Sequence, residues 1–120
     1  MKKLIFLFSL FIAFQAVAQE GIRFRHCSWE EAKAMAKKEK KPIFIDFYTQ
    51  WCGPCLNMAE NIFTLGSVGN FYNDHFVCLK IDAETGEGVE LAKKYEVASF
   101  PTFVFVNPKT EKAIHISGSN

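Results

Sequence analysis

Six consecutive residues, Ile43-Phe44-Ile45-Asp46-Phe47-Tyr48, constrain the architecture of this chain more than any other stretch. β-branched and aromatic side chains fill all but one of these positions, and no polar alternation interrupts them. Neither face of the strand they form can therefore look onto water. Such a strand belongs inside a sheet that helices cover on both sides. Pro42 ends any helix that precedes it. The one acid, Asp46, lies within the apolar run, which favours a buried carboxyl over a solvated strand end. Phe76 to Ile81 and Thr102 to Val106 have the same character and read as further central strands.

The intervening segments supply the helices. Ile22 to His26 alternates apolar and polar residues and predicts a short edge strand. Ser28 reads as an N-cap, with Glu31 completing a capping box. Trp29, Ala32, Met35 and Ala36 then recur at helical spacing through Lys38. Lys37, Lys38, Lys40 and Lys41 suit the negative end of that helix. After Gly53 comes a helix with Leu56, Ala59 and Phe63 on one face. Gly66 and Gly69 mark a break, and Phe71 and Tyr72 pack a second short helical piece. Glu84 to Gly88 is a polar turn, and Val89 to Tyr95 is helical, with Ala92 and Tyr95 inward. Asn107-Pro108 signals a turn, so Ala113 to Ser117 pairs with Thr102 to Val106 as a hairpin. The order is β-α-β-α-β-α-β-β: an α/β fold with parallel pairing, helices on both faces, and an antiparallel final pair.

The N-terminus reads differently. Lys2 and Lys3 precede an apolar run from Leu4 to Phe14, and Ala16-Val17-Ala18 places small residues where a signal peptidase cuts. A membrane-spanning helix needs about 20 apolar residues, so an uncleaved anchor is the weaker alternative. Residues 1–18 are expected to be a signal peptide and residues 19–120 a single domain, exported to an oxidising compartment where disulfides persist. Lys plus Arg number 14 against 13 acids, a balance that points away from nucleic acid and from acidic membrane as partners. Contact with the membrane is expected only through the signal peptide before cleavage.

Four cysteines divide into a tight pair, Cys52 and Cys55, and two singles, Cys27 and Cys78. The pair sits in Trp51-Cys52-Gly53-Pro54-Cys55, directly after the apolar strand and at the opening of a helix. Two intervening residues let both sulfurs meet across one helical turn. At the helix start, the Cys52 sulfur faces unpaired backbone N–H groups and the positive end of the dipole, which lowers a thiol's pKa and makes a nucleophile. Cys55, one turn further in, should be more buried and positioned to resolve a mixed disulfide. Pro54 is tolerated because first-turn N–H groups lack helical partners. Two other readings of the spacing stay open. A zinc site would need two more ligands, and Cys27, Cys78, His26, His75 and His115 form no second paired motif. A structural disulfide would gain little from closing so short a loop. No metal and no cofactor is called for.

The stretch Ile45 to Tyr48, the WCGPC pentapeptide and Ser99-Phe100-Pro101-Thr102 together resemble the thioredoxin superfamily. The likeness runs from about Ile22 to Gly118. The flanks at Lys41-Pro42 and Phe63 to Asp74 look closest to periplasmic thioredoxin-like domains, including the C-terminal domain of the membrane transporter that reduces periplasmic thiols. The resemblance implies a thioredoxin fold with a central mixed sheet. It implies that Cys52 and Cys55 are catalytic and that Asp46 is the buried acid accepting the Cys55 proton. It implies that Pro101 is the cis-proline beside the pair; a cis X-Pro bond costs only about 0.5–1 kcal/mol. Trp51, Gly53, Pro54, Phe100 and Thr102 complete the expected substrate-binding surface.

Two positions depart from the family. The lysine that often faces the buried acid aligns with Cys78, so Asp46 is expected to lack a nearby cation and to ionise with difficulty. Cys78 reads either as a buried small hydrophobe or as a third thiol near the site. The helix that closes the family fold at its C-terminus is missing before Asn120, which suggests a truncated domain or a partner covering that face. The expected function is a protein-disulfide reductase acting on disulfide-containing exported proteins, in a bacterial periplasm, fed by a membrane electron donor. A disulfide oxidase or isomerase, and a non-catalytic binding domain of a longer secreted chain, are the alternatives.

Overall fold

In a computed structural model of the chain, residues 20–117 are described. The expected signal peptide lies outside them. Eight elements follow in order: α1 (Trp29–Glu39), β1 (Ile43–Tyr48), α2 (Gly53–Asn61), α3 (Gly66–His75), β2 (Val77–Asp82), α4 (Glu87–Lys94), β3 (Thr102–Val106) and β4 (Ala113–Ser117). The four strands form one mixed sheet in the order β2-β1-β3-β4.

The strand Ile43–Tyr48 is central, as its composition demands. Alternate side chains point to opposite faces. Ile43, Ile45 and Phe47 meet Trp29, Ala32 and Ala36 of α1 and Leu91 and Ala92 of α4. Phe44 faces the other way and joins Ile22, Phe63 and Cys78. The Phe44 ring lies within 6.4 Å, centroid to centroid, of Phe63, Tyr72, Phe76, Phe103 and Phe105. Burying each such side chain contributes about 1.5–3 kcal/mol, so the aromatic layer anchors α2 and α3 to the sheet. The capping box forms as the sequence requires. The Ser28 hydroxyl accepts from Glu31 N–H at 3.1 Å, and the Glu31 carboxylate accepts from Ser28 N–H at 3.4 Å.

Several expectations are corrected. Ile22 to His26 is not a sheet strand; it is pinned by single bonds from Ile22 N–H to Phe63 O and from Arg25 N–H to Cys78 O, each at 2.8 Å. Only β1 and β2 are parallel, with Asp46 opposite Lys80. β3 runs antiparallel to β1. The cause is the short return path: eight helical residues of α4 descend only about 12 Å, and residues 96–101 climb back, so β3 starts beside the end of β1. Leu56 does not face inward; it is 59 % exposed, while Phe63 packs from beyond the end of α2. Gly66 and Gly69 open a helix instead of breaking one. Gly69 is needed because a Cβ there would run into the backbone of Gly21, itself at φ +90°. Among the described residues no helix follows β4, and its Ile114 and Ile116 stand exposed. No helix of the described residues is long and apolar enough to cross a membrane.

Candidate active site

The end of β1 and the start of α2 build the site. Thr49 to Trp51 form the turn between them, closed by a bond from Cys52 N–H to Thr49 O at 3.4 Å. Cys52 is the N-cap of α2, with extended backbone, and its Sγ accepts from Cys55 N–H at 3.1 Å. A sulfur thus occupies the position where a capping oxygen usually satisfies a free helical donor. No acidic side chain in the first turn of α2 offsets the positive end of the helix. Cys52 and Cys55 are joined as a disulfide, with Cα atoms 5.3 Å apart. Burial does not distinguish them, contrary to expectation: Cys52 is 6 % and Cys55 is 5 % exposed. Cys27 and Cys78 are free thiols.

Asp46 is 1 % exposed, in the strand that leads into the motif. Its Oδ1 has no hydrogen-bond partner. Loss of hydration pushes the carboxyl up from 3.8 to about 6, against the opposing pull of the Lys80 ammonium. The expectation that Asp46 lacks a cation is therefore corrected. Lys80, directly across from Asp46, supplies the positive charge, and its Nζ lies 4.9 Å from the centroid of the Tyr48 ring. Cys78 sits one pleat away, opposite Phe44 in the aromatic layer, and burial pushes its thiol up to about 12. It packs as a core side chain.

The rim draws on three loops. Trp51 is 70 % exposed, and its ring meets that of Phe100 edge to face at 6.0 Å. The Phe100–Pro101 bond is cis. Pro101 is fully buried. Thr102 is buried as well, its hydroxyl donating to Ser99 O at 2.6 Å. Gly53 and Pro54 are exposed. Two nearby residues escaped the sequence reading. Glu84 accepts from the Trp51 indole N–H at 2.6 Å, and nothing in its polar turn announced this. Lys80 was legible from the two-residue period of β2, once paired with β1.

The family model described as thioredoxin-like matches residues 24–108. The chain belongs to the thioredoxin-like family. Thioredoxin-1 of Drosophila yakuba is 42 % identical over 74 residues, covering 62 % of this chain and 64 % of the relative. The chloroplastic thioredoxin-like protein CITRX of Arabidopsis thaliana is 31 % identical over 102 residues, covering 83 % and 53 %. The chain thus spans less than two thirds of the length of these curated relatives. Among solved structures, a Bacteroides thetaiotaomicron protein provisionally assigned as a disulphide-isomerase is 42 % identical, with a TM-score of 0.74 over 84 % of each chain. The DsbH oxidoreductase superposes with a TM-score of 0.71 over 86 % of this chain and 77 % of its own; at 24 % identity it supports the fold alone. The disulfide of this chain joins the two cysteines of the WCGPC motif, Cys52 and Cys55.

Proposed function

We propose that this thioredoxin-like oxidoreductase reduces disulfides in exported proteins. The observation that carries the reading is the Cys52 sulfur at the cap of α2, accepting from a helical N–H. The same contact favours a thiolate once the pair is reduced. In the reduced state the Cys52 thiolate attacks one sulfur of a partner disulfide. A mixed disulfide forms, and the displaced partner thiolate takes a proton from solvent. Cys55 gives its proton to Asp46, then attacks the Cys52 sulfur. The second partner thiolate leaves, and the Cys52–Cys55 bond is restored. The partner gains the two electrons that the pair loses. Asp46, held near neutrality's lower side at about 6, suits a proton acceptor at physiological pH.

In this proposal Trp51, Gly53, Pro54 and Phe100 form the docking surface, and the buried Pro101 and Thr102 support it from below. The N-terminal Lys2–Ala18 pattern supports export to a bacterial periplasm, where a membrane electron donor would return the pair to its dithiol form. N-terminal sequencing of the exported protein should begin at Gln19; an intact Met1 in the purified periplasmic fraction contradicts export by cleavage.

A second reading, disulfide isomerisation or oxidation, draws support from the Bacteroides protein and its assignment. Equilibration with glutathione separates the two. A reductant should lie near thioredoxin's potential of about −270 mV, whereas a value near −120 mV makes the chain an oxidant. A Cys55→Ser variant should accumulate mixed disulfides with partners. If it captures none, the catalytic reading gives way to a binding domain.

A further inference from the structure

We propose that Glu84 is a positioning residue that holds the Trp51 indole upright at the rim and so sets the affinity for protein disulfides. The inference rests on the reductase reading above. An indole that is 70 % exposed would ordinarily sample several rotamers. Here two contacts from separate loops restrain it. Its N–H donates to Glu84 Oε1 at 2.6 Å, and its ring leans edge-on against Phe100.

Glu84 is itself held in place. Its N–H donates to Asp82 Oδ1 at 2.9 Å, and Asp82 Oδ2 accepts from Gln50 Nε2 at 3.2 Å. Gln50 precedes Trp51 in the chain, so the contacts close a circuit: Gln50, Asp82, Glu84, Trp51. Asp82 ends β2 opposite Tyr48, which ties the circuit to the sheet. The bond to the Glu84 carboxylate is charge-assisted and stronger than one to a neutral acceptor. An exposed aromatic ring fixed in advance binds a partner without losing rotamer freedom on contact. Glu84 hydrogen-bonds to the indole and to neither cysteine. Its removal should weaken docking and leave the sulfur chemistry alone.

The test compares wild type, Glu84→Ala and Glu84→Gln on insulin, a protein disulfide, and on 2-hydroxyethyl disulfide, which is too small to span the rim. Glu84→Ala should raise KM for insulin about three- to tenfold with kcat unchanged. Rates with the small disulfide and the potential of the pair should stay at wild-type values. Glu84→Gln keeps an acceptor oxygen and should recover most of the loss. The indole N–H resonance of Trp51, assigned with Trp51→Phe, should lose exchange protection in Glu84→Ala. Unchanged KM or an unchanged indole resonance overturns the inference, as does equal slowing on both substrates. If wild type reduces both disulfides and Glu84→Ala matches it, only the role of Glu84 falls. If wild type reduces neither, the reductase reading falls and this inference with it.

Discussion

Replacing Asp46 with Asn should stabilise the oxidised protein in a pH-dependent way. The folded carboxyl sits at about 6, against 3.8 for the free side chain. A raised carboxyl pKa means that folding penalises the charged form. The penalty is absent below about pH 3, where the acid is neutral in both states. It grows as pH rises through the window between 3.8 and about 6 and is complete above about pH 7. A shift of about two units corresponds to about 3 kcal/mol. Asp46 is 1 % exposed, so little solvent screening reduces that figure. Asn cannot ionise, so its advantage over Asp should widen by about 3 kcal/mol between pH 3 and pH 8. The Oδ1 left without a partner adds an offset of its own, but that offset does not depend on pH. Urea unfolding of the oxidised form reads the effect. With slopes of about 1–3 kcal/mol/M, the midpoint gap should grow by about 1–3 M across this range. A gap that stays flat from about pH 3 to pH 8 would refute the claim that Asp46 is buried and destabilised by its own charge.

Other predictions follow the same geometry. Lys80→Met removes the cation opposite Asp46 and should move the acid further above 6, seen by NMR titration of its carboxyl carbon; a downward move contradicts the pairing. Phe44→Ala empties the centre of the aromatic layer and should cost about 3–5 kcal/mol in chemical denaturation, with loss below 1 kcal/mol counting against that packing. Gly69→Ala should destabilise by at least about 1 kcal/mol, because the new methyl group meets Gly21 backbone. Ser28→Ala should cost about 1 kcal/mol through loss of the capping box, and pairing it with Glu31→Ala should add little more.

Much of the fold was readable because its signals are local. The Ile43–Tyr48 run implied a strand covered on both faces, and Ser28 with Glu31 implied a helix start; both depend on neighbours within a few residues. What the sequence hid depends on contacts between distant segments. Whether Ile22 to His26 joins the sheet turns on where Phe63 and Cys78 present their carbonyls. The antiparallel entry of β3 depends on how far α4 descends before the chain returns. Gly66 and Gly69 looked like breakers because helix propensity disfavours glycine, yet the approach of Gly21 makes a side chain at position 69 impossible. At the site, WCGPC identified the sulfurs. Alignment by residue type alone placed a thiol where strand register places Lys80 one pleat away, and the Trp51–Glu84 contact spans 33 residues that no periodic pattern connects.

The strand end that delivers the cysteines also explains why Asp46 belongs on β1. In the proposed reaction a thiolate needs free helical donors, whereas a proton acceptor for Cys55 needs a raised pKa and therefore burial. One continuous segment satisfies both demands within six residues, from Asp46 in the sheet to Cys52 at the cap of α2, just beyond the exposed Trp51. Lys80 moderates the burial from the neighbouring strand, so the carboxyl settles near 6. A group there is mostly ionised at neutral pH yet lies close enough to it to take up a proton readily. The same burial without the lysine would hold more of the acid in its neutral form, which cannot take a proton. Full exposure would leave it too weak a base to draw one from a thiol.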